Sequence, residues 1–201
     1  MMTLEEFDAR LRELVPQNSR PFLCEGSPLD CDLFVVGNNP GTETPFWEYW
    51  ELPYGCRKSR WLTDFWERHK SENKPVRRNM EAIFSQLGDV KYLETNAYSP
   101  WSKWTSDLND DQLSTHVFEF LLKTIRPKLV FAHAAHAKKY LRAQVGHSIE
   151  SDEPTPVTLL GFETHLLLTP SRPALMTWGE ERSRAFGQRL REVYLSVARR
   201  S

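Results

Sequence analysis

The sequence predicts an α/β domain built on a parallel sheet, and two features predict it. Short apolar runs, Leu33–Val36, Tyr92–Ala97 and Leu129–Ala132, have the length and residue types of buried strands. Between them lie segments with apolar residues at helical spacing, and this alternation makes the helices crossovers between parallel strands. At 201 residues the chain is sized for one domain, spanning 1–201, with a full core.

Thr3-Leu4-Glu5-Glu6 has capping-box spacing, and Leu4, Phe7, Leu11 and Leu14 recur at helical intervals until Pro16, which predicts a helix over about Leu4–Val15. Residues 17–30 are expected as loop. The strand Leu33–Val36 then runs into Gly37-Asn38-Asn39-Pro40-Gly41, which cannot continue it. Pro40 removes a backbone donor, the glycines admit conformations closed to other residues, and the asparagines tolerate left-handed geometry. A loop at the carboxyl end of a parallel strand is where α/β proteins place ligands, although an ordinary turn uses the same residues. Residues 42–60 form a long aromatic and basic loop, whose rings either serve a site or pack the loop onto the body.

Trp61, Leu62, Phe65 and Trp66 suggest a short helix, and Val76, Met80, Ile83, Phe84 and Leu87 a second, closed by Gly88. The strand from Tyr92 carries the polar Asn96 near its end and runs into Tyr98-Ser99-Pro100-Trp101. Leu113, Val117, Phe118, Leu121, Leu122 and Ile125 define a helix stopped by Pro127, and a further helix over about Ala134–Ala143 follows Leu129–Ala132. Val157–Leu160 and His165–Leu168 are extended runs around Gly161, the second ending in Thr169-Pro170-Ser171-Arg172-Pro173. An amphipathic helix over about Glu180–Ala198 closes the pattern.

A net charge of -1 provides no global field to hold a polyanion, so any nucleic-acid contact must come from a local basic patch. Arg57, Lys58 and Arg60 are one candidate patch and Lys74, Arg77 and Arg78 another; a solvated surface is the alternative for both. Cys24, Cys31 and Cys56 lack C-x-x-C spacing and are expected as reduced thiols. With no basic-then-apolar leader and no apolar run near the roughly 20 residues that span a bilayer, the expectation is a cytoplasmic protein with no membrane partner. His133 and His136 form an H-x-x-H near a helix start. They could share a metal with His147, His165 or Glu43, or serve as capping and surface groups; no metal is expected.

Three strand ends carry polar punctuation: GNNPG at 37–41, ETNAYSP at 94–100 and LTPSRP at 168–173. In order and spacing they resemble the uracil-DNA glycosylase superfamily, with its G-x-[N/D]-P-G-like water-activating loop, an Asn ending the second strand and a His-Pro-Ser-like loop after the last. The first motif is most similar to the mismatch-specific and single-strand-selective branches. Arg126–Ala132 with the helix containing Ala137 is similar to the family's third strand and helix, and the resemblance spans about residues 22–195.

The resemblance implies a three-layer α/β/α sandwich with a central four-stranded parallel sheet made of Leu33–Val36, Tyr92–Asn96, Leu129–Ala132 and His165–Leu168. It implies a DNA glycosylase acting on a deaminated or damaged base extruded from the stack. Asn39 would position the attacking water, with Ser171 beside it in the catalytic set. Phe46 would stack on the base and Asn96 read its edge, with Asn38, Thr169 and His133 in the same pocket. Ser171 and Arg172 would lie in the loop that presses on the DNA backbone, and Arg57, Lys58 and Arg60 would add phosphate contacts.

The sequence also departs from the family. Thr169 stands where many members have the His that stabilises a departing uracil anion. The iron–sulfur branches carry four Cys where this chain has three at other spacings, so no cofactor is implied. The expected partner is single- or double-stranded DNA with a modified base, met by a monomer. The alternative is a non-catalytic nucleic-acid or nucleotide-binding protein on the same fold, which Thr169, the near-neutral charge and the lack of a carboxylate at position 39 favour.

Overall fold

The structure is a computed structural model that describes residues 2–16, 19–146, 149, 153–168 and 177–199. Its elements are α1 (Leu4–Leu14), β1 (Phe22–Leu23), β2 (Glu25–Gly26), β3 (Leu33–Gly37), β4 (Trp50–Glu51), β5 (Gly55–Arg57), α2 (Lys58–Arg68), α3 (Pro75–Phe84), β6 (Tyr92–Asn96), α4 (His116–Ile125), β7 (Leu129–Ala132), α5 (Ala135–Val145), β8 (Thr155–Leu159), β9 (Phe162–Leu168) and α6 (Glu180–Ala198). At α1 both capping-box bonds form between Thr3 and Glu6. Helix α4 starts later than its apolar spacing suggests, because Asn109 caps a 3-10 turn over Asp110–Gln112 that uses Leu113 as its end.

The expected four-stranded parallel sheet is in fact a six-stranded mixed sheet in the order β1-β6-β3-β7-β9-β8. Strand β3 pairs in parallel with β6 and β7, and β7 with β9. Antiparallel edges are added by β1 on β6 and β8 on β9. The two-residue β1 is too short to show a periodicity. Strand β8 belongs to a hairpin whose turn, Leu160-Gly161, holds φ of 50° and 87°, the left-handed geometry that suits a tight connection. A separate three-stranded sheet, β2-β5-β4, stands where the sequence suggested loop at 17–30 and 42–60.

The parallel strands are apolar without alternation because both faces are covered. Phe34, Val36, Val130, Ala132, Leu166 and Leu168 share a core with Phe7 and Leu11 of α1, Phe118 and Leu121 of α4, and Ala137 and Leu141 of α5. Leu33, Val35, Leu129, Phe131 and Leu167 pack instead with Met80 and Ile83 of α3 and Leu190 of α6. Helix α6 approaches α3 at Gly187, where a Cβ would lie 2.9 Å from Gln86 Cβ and 3.0 Å from Ile83 Cα, so a larger residue would wedge the pair apart. Among the described residues no helix is long and apolar enough to cross a membrane.

This order has a consequence for function. The chain leaves β3 for β6 on one side, then crosses back past β3 to β7 on the other. The carboxyl ends of β3 and β7 therefore flank a topological switch point, where an open α/β sheet leaves a crevice for a ligand.

Candidate functional site

Two of the residues expected in a site, Asn96 and His133, meet at that edge beside Gly37. Gly37, the last residue of β3, is in register with Asn96 of β6, and His133 follows β7 with its N–H donated to Val36 O at 3.1 Å. A Cβ on Gly37 would lie 2.5 Å from Asn96 Oδ1 and 3.6 Å from His133 Cε1, so the glycine makes the space in which the two side chains gather. Asn96 is 8% exposed, and its side-chain amide forms no hydrogen bond among the described residues. Its polar atoms still reach solvent, so water or a ligand can satisfy the unused donor and acceptor. His133 is half-buried, and desolvation lowers its pKa to about 4, with Glu94 opposing and Lys138 and Arg77 adding to the shift. The imidazole is thus neutral at pH 7, with one ring nitrogen donating and the other accepting.

The two loop asparagines hold the architecture. Asn38 Oδ1 accepts from His136 N at 2.9 Å and Ala137 N at 3.4 Å, capping the first turn of α5, whose own N-cap Ala134 has no side chain to do so. Asn38 Nδ2 donates to Thr105 Oγ1 at 3.4 Å. Thr105 Oγ1 in turn donates to Asn39 Oδ1 at 2.6 Å, while Asn39 Nδ2 donates to Ser102 O at 2.8 Å and Pro40 O at 3.1 Å. Asn39 therefore keeps one lone pair on Oδ1 with which to orient a water and cannot take its proton. Thr105 joins the two asparagines from more than 60 residues away, and no local pattern marks it.

Two expected contacts are corrected. Phe46 is 1% exposed and packed against Phe22, Trp47 and Trp50, so its faces are covered by protein and it is not open to stack on a base. The expectation failed because the aromatic segment around it folds into the core through a 3-10 turn over Phe46–Tyr49. Lys58 is 5% exposed, donates to Tyr92 Oη at 2.9 Å and pairs with Glu81 at 3.3 Å and Glu94 at 3.6 Å, so it is no phosphate contact. Arg57 lies on the small sheet, paired with Glu51 at 2.6 Å and over the Tyr54 ring, and Arg60 is exposed on α2 beside Tyr49. Thr169, Ser171 and Arg172 lie outside the described residues, as does His147.

Lys58 belongs to a charge cluster under the site. Glu94, 8% exposed on β6, receives both Nη groups of Arg77, with Nη1 to Oε2 at 2.8 Å, and faces Lys58 and, at 4.0 Å, Arg20. Burial raises its pKa, but Arg77 first, then Lys58 and Arg20, hold the carboxyl well below its usual range. The sequence contains one signal of this cluster, a carboxylate inside the otherwise buried strand YLETN, which requires a buried cation. The three cysteines are all buried and reduced, and the Cys24 thiol is in hydrogen-bonding reach of both others. Among the described residues no group of three or more His, Cys, Asp or Glu is placed to hold a metal. No protein-family model matches the chain, and no curated protein matches it.

Proposed function

We propose that the chain is a DNA glycosylase of the uracil-DNA glycosylase type, hydrolysing the N-glycosidic bond of an extruded deaminated or damaged base on a three-layer α/β/α domain. One observation carries this reading: the unpaired amide of Asn96 and the neutral imidazole of His133 gather over Gly37 at the switch-point edge, one loop from Asn39. A nucleobase edge alternates donors and acceptors, and an amide beside a neutral imidazole offers the same alternation. In the reaction water adds at the sugar C1′ as the C1′–N bond breaks, the bonding pair leaves with the base, and the water proton passes to solvent. Asn39 Oδ1 orients that water, and an N–H of Asn96 or His133 bonds the oxygen on which the departing base carries charge.

A second reading, a binding protein without catalysis, is favoured by Asn39 itself, whose amide is largely taken up by Ser102, Pro40 and Thr105. Alkaline cleavage of uracil-, hypoxanthine- and mismatch-containing oligonucleotides separates the two. Excision of at least one base, reduced about 10²-fold in Asn96→Ala, is the result expected for loss of one preorganised donor. Binding of such DNA with no base released by the wild type would replace the glycosylase reading with the second.

A further inference from the structure

Asn39 also borders a cleft of about 320 Å3 whose walls include Arg20, Lys74 and the start of α3. Arg20 is 6% exposed there. A guanidinium carries five N–H donors, yet among the described residues this one donates no hydrogen bond; its face lies 5.2 Å from the Trp61 ring, and its nitrogens reach the cleft solvent. Its ionic partner Glu94 stands 4.0 Å away, with both oxygens already bonded by Arg77. The backbone fixes Arg20 in place, since Ser19 bridges to Pro100 and Arg20 N donates to Ser99 O at 2.9 Å. Burial without a full partner lowers the Arg20 pKa to about 10, the direction expected of an undercompensated cation.

The second wall is the first turn of α3, a ten-residue helix that begins at Pro75. Its N-cap, Lys74, makes no side-chain cap and is paired with Glu72 at 2.8 Å outside the helix, and no acidic residue stands in the first turn. The N–H groups of Val76 and Arg77 have no acceptor within the helix, and the positive end of the helix dipole lies behind them. Around the cleft Arg20, Lys58 and Arg77 face two carboxylates, Glu81 and Glu94, which leaves one positive charge uncompensated. A buried guanidinium and an open helix N-terminus on one cleft form a site for an oxyanion.

We propose that this cleft binds a phosphate group, with two oxygens accepting from Arg20 and the others facing the amide groups at the start of α3. A planar carboxylate would use both its oxygens on Arg20 and leave the helix end unmatched, whereas a tetrahedral group serves both walls. The phosphate comes either from a mononucleotide or from the backbone of a DNA strand. The proposal rests on the cleft and not on base excision.

Isothermal titration calorimetry of the full chain, at ionic strength held constant with sodium chloride, tests it with inorganic phosphate, thymidine 5′-monophosphate, thymidine and a short oligothymidylate. The monophosphate is expected to bind and thymidine not, with affinity for inorganic phosphate and for the monophosphate about 10-fold or more weaker in Arg20→Gln. Oligothymidylate tighter than the monophosphate assigns the phosphate to a strand, and the reverse assigns it to a free nucleotide. No binding of any phosphate probe, or binding unchanged in Arg20→Gln, overturns the proposal. Should that variant fail to fold, Lys74→Glu, at a side chain 25% exposed on the rim, is expected to abolish phosphate binding with an unchanged circular dichroism spectrum. Unchanged affinity in that variant overturns the proposal equally. The readout is phosphate affinity, so failure of base excision and failure of this site are seen separately.

Discussion

Replacing Glu94 by Gln is expected to be among the most damaging isosteric changes to this fold. The carboxylate is 8% exposed and accepts from both Nη groups of Arg77, with Lys58 at 3.6 Å and Arg20 at 4.0 Å. A Gln turns one of its two acceptors into an NH2 that faces an Arg77 donor, and leaves three cations against Glu81 alone. Removing one partner of a buried ion pair costs about 3–5 kcal/mol. In a domain of this length each kcal/mol lowers Tm by about 2–4 °C, so the variant should melt about 6–20 °C below the wild type.

Thermal and urea denaturation followed by circular dichroism measure this directly. The acid dependence provides an internal check. Glu94 ionises far below its ordinary value of 4.5 in the folded protein, so its stabilisation is fully present above about pH 4.5 and is lost as pH falls below it. The gap between wild type and Glu94→Gln should therefore narrow in acid. A variant within about 1 kcal/mol of wild type at pH 7 would show that water, not Glu94, compensates these cations, and the electrostatic account of the cleft would fall with it.

Three further outcomes follow from the geometry. His133 titrates near pH 4 when folded and near 6.5 when unfolded, so the unfolded chain binds more protons between those values; stability should fall from pH 6.5 to 4, and His133→Gln should flatten that limb of a Tm–pH profile. Phe46→Ala should destabilise by about 3–5 kcal/mol in urea titration, the cost of emptying an aromatic core position; an effect on DNA binding with stability unchanged would restore the stacking role. Asn38→Ala removes the cap that joins β3 to α5 and should cost about 0.5–2 kcal/mol, with faster amide exchange at His136 and Ala137.

The sequence by itself determined the elements whose signal is local. The capping box and i, i+3, i+4 spacing of α1 are properties of neighbouring residues, and the all-apolar runs at Leu33 and Leu129 announce strands buried on both faces. The abrupt polar stops after β3 and β6 likewise marked the edge where Gly37, Asn96 and His133 now stand together. Tertiary structure alone decided which polar groups at that edge remain free. Asn38 and Asn39 look like ligand groups in the sequence, but Thr105, Ser102 and the first turn of α5, all distant along the chain, take up most of their hydrogen-bonding capacity. The resemblance puts Phe46 against a base, and the run Arg57, Lys58 and Arg60 makes Lys58 part of a candidate patch. Their burial depends on the small sheet β2-β5-β4 and on the carboxylates of α3 and β6, none of which has a local signal at residues 46 or 58. Arg20 is the converse case: an ordinary surface residue by its sequence context, it is carried into the interior by pairing with the loop after β6, where desolvation and the already occupied Glu94 leave its charge without a full partner. Burial and long-range hydrogen bonding set the free energy of a polar side chain, and both are properties of the packed chain and not of the segment.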